Sequence, residues 1–374
     1  MTMKKSLYAT TALLGVATVA NGAHAEGINL DVGGFFNFYQ SVGDPHGGFG
    51  VDDTQTFQDA EISFSGSYTL DNGIEAGVSI TTEIANPNSD FQQGVEADGV
   101  YGYMKGSFGT VQLGSQNSAA YAQSWGAGPL WSYTLVPINT GWQSYFTGGT
   151  SANAGNFYNV GGSTHLDFAN DAQRIAYYTP RVAGFKFGAS WAPEIQGNNT
   201  QQFGFQDSDT TASDGLSASV SWSQDFQQVG LSAYAGVNTA QAADGSGNED
   251  PEHYMAGVRA NFAGFGVGYA FAEADNPDAV SAAQGDSPDD GRAHGFDVVY
   301  STGPFTFQAE ALISRTDGNS ATPDADQETY KGAVGYNLGP GINLSGGVIF
   351  DNQENNAGVD SDAVSGVIGT TMFF

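Results

Sequence analysis

The chain has no cysteine, so disulfide staples and thiolate metal sites are excluded. It has few bases: Lys plus Arg total 10 against 40 Asp plus Glu. Charged residues of all kinds make up only 13%, about half the share usual in a soluble domain. A chain this acidic does not bind nucleic acid through its phosphates. Long apolar runs are also scarce. Beyond residue 25, none reaches the roughly 18 residues a helical span needs.

The first 25 residues differ from the rest. Lys4 and Lys5 are followed by an apolar stretch from Leu7 to Ala20, then Ala23-His24-Ala25. A basic start, a short apolar centre and an A-x-A site spell a secretory signal peptide, cut before Glu26. A retained membrane anchor is the competing reading, and the stretch is short for one. Without Lys4 and Lys5, 8 bases face 40 acids, a net charge of −32.

What the chain does have is glycine and aromatics: 53 Gly, 25 Phe and 17 Tyr. Such content excludes a disordered chain. It suits alternating strands with aromatic girdles. The clearest strand signal is AEISFSGSYTL, turned by Asp71-Asn72-Gly73 into IEAGVSI. Ile62, Phe64 and Tyr68 share one face, Glu61, Ser63 and Ser65 the other. A period of two with D-N-G between the runs predicts a hairpin.

The same rhythm predicts about sixteen strands from Ile28 to Phe374, with short turns alternating with long polar loops. Expected tight turns include Phe226-Gln227, Ala263-Gly264 and Gly339-Pro340-Gly341. The expected fold is all-β: one transmembrane antiparallel barrel over residues 26–374, with its first and last strands paired so that no edge is left.

One segment breaks the rhythm. Residues 118–171 are far longer than an ordinary loop and hold Trp125, Trp131, Trp142 and Tyr133. Glycine and aromatics suit a packed segment, so it is expected to fold into the lumen as a constriction. A solvated surface loop is the alternative.

The stretches Ala60–Ile84, Val100–Asn117 (VYGYMKGSFGTVQLGSQN) and Val364–Phe374 (VSGVIGTTMFF) resemble the sixteen-stranded general diffusion porins of Gram-negative bacteria, of the α-proteobacterial type. The resemblance implies a homotrimer with one pore per subunit and a third extracellular loop folded inward. It implies a final aromatic, here Phe374, read by the barrel-assembly machinery. It also implies loop acids opposed to a row of bases on the wall. The acids here are Asp167 and Asp171, and the candidate bases Arg174, Arg259 and Lys331.

The sequence departs from that pattern, because Thr54–Ile84 carries no Lys or Arg. Inward positions instead hold Glu61, Glu75, Glu83, Asp98 and Glu310. Rings of carboxylates favour cations, so a mild cation preference is expected. Acids at Asp286, Asp289 and Asp290 are expected to repel neighbours or to hold divalent cations beside lipopolysaccharide.

Four rivals remain at this point. A sugar-selective channel would use the loop tryptophans as its path. A barrel hydrolase would need a nucleophile and a base, yet His46, His165, His253 and His294 show no Ser-His or metal-like spacing. An adhesive barrel would have a closed lumen. A soluble periplasmic β-protein would leave the apolar face without purpose. No cofactor is expected.

Overall fold

The computed structural model describes residues 27–46, 54–85, 96–124, 135, 163–167, 172–195, 212–242, 249–275, 290–317, 324–354 and 360–374. Sixteen strands run in chain order: β1 (Ile28–His46), β2 (Thr54–Thr69), β3 (Glu75–Ala85), β4 (Glu96–Gly106), β5 (Gly109–Ser115), β6 (Gln173–Tyr178), β7 (Phe185–Glu194) and β8 (Ser213–Phe226), then β9 (Val229–Gln241), β10 (Glu252–Phe262), β11 (Phe265–Asp275), β12 (Asp290–Thr302), β13 (Phe305–Asp317), β14 (Ala325–Gly339), β15 (Ile342–Glu354) and β16 (Asp360–Phe373). A short helix, α1 (Ala119–Ser124), follows β5.

Each strand pairs antiparallel with its neighbours in sequence, and β1 pairs with β16 to close the barrel. Closure is sealed by Gly34 and Phe374, which exchange backbone bonds of 3.0 and 3.1 Å. The barrel therefore has no open edge, the condition for β-structure in lipid.

Local sequence sets the turns. Gly73, at φ 80°, donates its amide to Leu70 O, and Asn72 Oδ1 accepts from the Ile74 amide at 3.1 Å. Ala263 and Gly264 both have positive φ, the geometry a two-residue hairpin needs to match strand twist. The turn expected at Phe226-Gln227 falls one residue later, because β8 extends through Phe226 and pairs it with Val229.

Side chains alternate as the period of two requires. One face carries exposed apolar groups such as Leu30, Phe64, Val78, Phe187, Phe296 and Ile368. The other carries buried or half-buried polar ones, among them Asn37, Ser217, Asn238, Gln308 and Thr371. This is the reverse of a soluble barrel, and an exposed apolar band of this extent needs lipid around it.

Aromatic rings cluster on that outer face at the short-turn end. Phe265 lies 4.4 Å from Tyr300, Phe305 lies 4.9 Å from Tyr336, and Trp222 lies 6.1 Å from Phe226. Tyr254 and Tyr330 stand toward the long-loop end. Such belts mark the two edges of a membrane. Among the described residues no helix is long and apolar enough to cross a membrane.

Candidate pore lining

On the inner wall of β2–β4, Asp59, Glu61, Glu75 and Glu83 come from the simple alternation, and Asp98 from the register break at Thr81/Thr82. Glu61 stands opposite Glu83 in register, and Glu75 opposite Lys105. Register breaks at Ala60/Glu61 and Thr81/Thr82 crowd the carboxylates further. Ligand atoms of Asp59, Glu61 and Glu83 come within 4.8 Å of one another, close enough to share a cation. Asn37 Nδ2 donates to Asp59 at 3.3 Å, and Tyr103 OH donates to Glu75 at 2.9 Å. Like charges set directly opposite repel by some tenths of a kcal/mol or more. This wall therefore carries an excess of negative charge.

The wall from β10 to β14 is built differently. Lys331 stands opposite Glu310 in register, and their Nζ and Oε2 lie 2.7 Å apart with both side chains buried. Arg259 reaches Asp297 at 3.0 Å, also buried. Those two residues are not on adjacent strands. Arg259 stands opposite Gly268 on β11, and Gly268 opposite Asp297 on β12. The guanidinium lies across β11, which offers glycine there. A Cβ on Gly266 would sit 3.1 Å from Arg259 Nη2. Arg259 Nε also donates to Asn261 at 3.3 Å.

The two ends of the 118–171 segment lie on the inner face of β7–β10. Ser118 begins α1, its Oγ accepting from the Tyr121 amide at 3.3 Å. The Ala119 and Ala120 amides donate to Ser190 and Ser217, at 3.1 and 2.8 Å. Gln123 Nε2 donates to Ser219 at 2.8 Å, and its Oε1 accepts from Ser221 at 2.7 Å. The wall is made of small residues there because α1 comes so close. A Cβ on Gly236 would meet Ala120 Cβ at 2.7 Å. From the other end, Leu166 packs with Ala120, Tyr234, Met255, Ala272 and Ala293. Asp167 ties the two ends together: its Oδ2 accepts from the Ser118 amide at 2.7 Å, and its Oδ1 lies 3.9 Å from Arg174 on β6.

His165 is buried beside this clamp, its Nδ1 2.9 Å from Ser124 Oγ. Burial pushes its pKa down to about 4, because the charged ring is disfavoured away from water. This Ser-His contact, invisible in the sequence spacing, is sealed: Ser124 and His165 are 0% and 2% exposed. A substrate carbonyl cannot reach a hydroxyl enclosed this way.

Of the residues singled out in sequence, the structure thus brings Asp167 to Arg174, Glu310 to Lys331, and Glu61 to Glu83. Arg259 goes to Asp297, which sequence reasoning missed, along with Asp59 and the serines under α1. Asp98 lies on β4 at the Thr81/Thr82 break. Phe374 directs its ring outward. Asp171, Trp125, Trp131, Trp142, Tyr133, Asp286 and Asp289 lie outside the described residues.

The sequence profile of Gram-negative porins matches residues 9–356. The chain belongs to the Gram-negative porin family. Solved structures share its fold. A form of OmpT from Vibrio cholerae lacking loop 8 aligns at 13% identity with a TM-score of 0.60, over 93% of this chain and 100% of that one. The anion-selective porin from Comamonas acidovorans aligns at 16% identity and 0.59, over 93% and 100%. A variant of Rh. blastica porin aligns at 16% and 0.54, over 92% and 100%. No curated protein sequence matches significantly. Family and fold together make this porin a non-enzymatic β-barrel channel of the outer membrane.

Proposed function

We propose that this porin is a general diffusion channel for ions and small hydrophilic solutes, with a mild preference for cations. One observation carries the preference. The bases of the β10–β14 wall are matched by acids at 2.7 and 3.0 Å, while the β2–β4 wall holds Asp59, Glu61, Glu75, Glu83 and Asp98 against Lys105 at its end. Acids outnumber bases on the β2–β4 wall, and carboxylate rings favour cations. The barrel itself does not fix the sign, since a porin named as anion-selective has the same fold. The test is the reversal potential of the protein in a planar bilayer across a potassium chloride gradient. A potential of the sign set by potassium supports the reading, and one set by chloride overturns it.

The remainder of the reading follows the family. Residues 118–171 narrow the lumen, which the docking of both ends on the inner wall supports. Residues 1–25 are the export leader. Three copies associate, and the outer face of β2–β5 offers a shallow apolar depression of about 620 Å³ lined by Tyr68, Val78, Met104 and Leu113 for that contact. Phe374 at the end of β16 serves the barrel-assembly machinery. The long-loop acids face outward, where divalent cations join them to lipopolysaccharide. Large conductance steps arriving in threes are expected from the purified protein.

A further inference from the structure

We propose that Arg181 and Lys186 form a weak station for the phosphate group of a small solute at the short-turn mouth of the channel. The inference rests on the reading of the barrel as an open pore, with its short turns toward the periplasm.

Beyond the leader the chain has only 8 bases, so the company each keeps is informative. Arg174, Arg259, Arg292, Arg315 and Lys331 are each ion-paired, with Asp167, Asp297, Glu273, Asp324 and Glu310 in turn. Lys105 stands opposite Glu75 in register. Arg181 and Lys186 remain, and among the described residues their contacts are with neutral groups. In a chain with 40 acids, two neighbouring bases left to neutral partners are the exception.

Both cations converge on Ser221. Arg181 lies in the turn between β6 and β7. Its Nη2 donates to Ser221 Oγ at 3.3 Å, and its Nη1 donates to the Gly184 carbonyl. Lys186 stands opposite Ser221 in register. Ser221 is on the inner face, because its Oγ donates to Gln123 of α1. Lys186 shares that face with Ser190, which accepts from the Ala119 amide of α1. Its Nζ lies 4.7 Å from the centre of the Tyr178 ring. The pair therefore sits beneath α1, at the mouth of the lumen rather than on the lipid side.

Arg181 and Lys186 are close enough to repel each other, and an anion between them relieves that repulsion. The fold pins both in advance, Arg181 by two acceptors and Lys186 by the face of an aromatic ring. Groups already ordered lose little freedom when a ligand arrives. The guanidinium offers paired donors to phosphate oxygens, and the ammonium adds a point charge. Two positive charges match the double negative charge of a phosphate group. Arg181 is exposed and Lys186 half-buried, so water keeps the contact weak, as conduction requires. The station is on β7 and the turn before it, away from the acids of β2–β4, and it gives phosphorylated solutes a foothold that the acidic wall denies them.

The experiment uses the full-length porin in neutral detergent, titrated with inorganic phosphate in mildly alkaline buffer, where phosphate is a dianion. Binding is read as broadening of the phosphate NMR line. The double variant Arg181→Gln/Lys186→Gln is expected to bind about fivefold more weakly or worse. Arg292→Gln, which removes a charge at the opposite end, binds as the unaltered protein does. Acetate at the same concentration displaces little phosphate. Should the double variant fail to fold, Arg181→Lys keeps the charge, loses the fork and weakens binding several-fold. Unchanged broadening in the folded variants overturns the proposal, as does equal competition by acetate, which would mark a response to any anion. In planar bilayers, phosphate added on the short-turn side should reduce the potassium chloride current more than phosphate added on the long-loop side. The double variant should lose that asymmetry, and an equal effect from both sides overturns the placement. Broadening without conductance would reject the pore reading and keep the anion contact, whereas conductance without broadening would reject the station alone.

Discussion

The two sides of the inner wall solve the same problem in opposite ways. Each must be polar enough to stay wet. The β10–β14 side places its charges as buried pairs, Lys331 with Glu310 and Arg259 with Asp297. The β2–β4 side places acid against acid, Glu61 opposite Glu83. A paired wall contributes structure and little field. A wall of facing acids contributes field at a cost in repulsion. Stability and selectivity are thereby assigned to different strands, and each side can be altered without the other.

The largest effect is expected on the paired side. Lys331→Met leaves the Glu310 carboxylate buried alone, which costs about 3–5 kcal/mol. The check is the urea midpoint of the barrel in vesicles. The double change Lys331→Met/Glu310→Leu is expected to recover most of that loss. A single change no worse than the double would mean that the pair does not bind the wall together.

The clamp at His165 comes next. Its folded pKa of about 4 lies below the ordinary 6.5. The stability it gives to the docked segment is complete above about pH 6.5 and is lost as pH falls toward 4, on the order of 3 kcal/mol in all. Acid should therefore release the segment from the wall. The measurement is channel closure and noise between pH 7 and 4, and His165→Gln should abolish the transition. The same acid response in the variant would place its origin elsewhere.

Gly266→Ala crowds Arg259 Nη2, 3.1 Å from the new Cβ. It is expected to cost about 1–2 kcal/mol, read by the same urea midpoint, and to leave selectivity as it was. The smallest change in energy is on the acidic side. Glu61→Gln/Glu83→Gln should lower the potassium-to-chloride permeability ratio by about two- to threefold. Arg259→Met/Asp297→Leu, which removes a matched pair, should not move it. A reversal of those two results would exchange the roles of the two sides.

The acidic side was largely legible in the sequence. The β2–β3 hairpin shows period two, a D-N-G turn and an absence of bases, and each of these is a local property. The paired side was legible only in part. Glu310, Arg259 and Lys331 could be assigned to the inner face by parity, but their partners depend on register between strands. Glu310 read as an uncompensated acid until β14 set Lys331 opposite it. Asp297 went unnoticed because Gly268 separates it from Arg259, and a bare position carries no signal of what crosses it. Ser190, Ser217 and Ser219 look like any polar lining. Their role under α1 comes from a helix of six residues, too short for a 3.6-residue period to show.

Closure through β1 and β16 has a kinetic consequence. Fifteen of the sixteen pairings join strands adjacent in the chain. The last joins residues as far apart as Gly34 and Phe374, at opposite ends of the barrel sequence. Hairpins form rapidly and locally, whereas so distant a contact must wait for the intervening sheet to curl. Until that seam zips, the protein is a curved ribbon with two raw borders, unable to rest in hydrocarbon and prone to join its neighbours. The rate of the seam, rather than that of any hairpin, sets how long the nascent porin must be chaperoned.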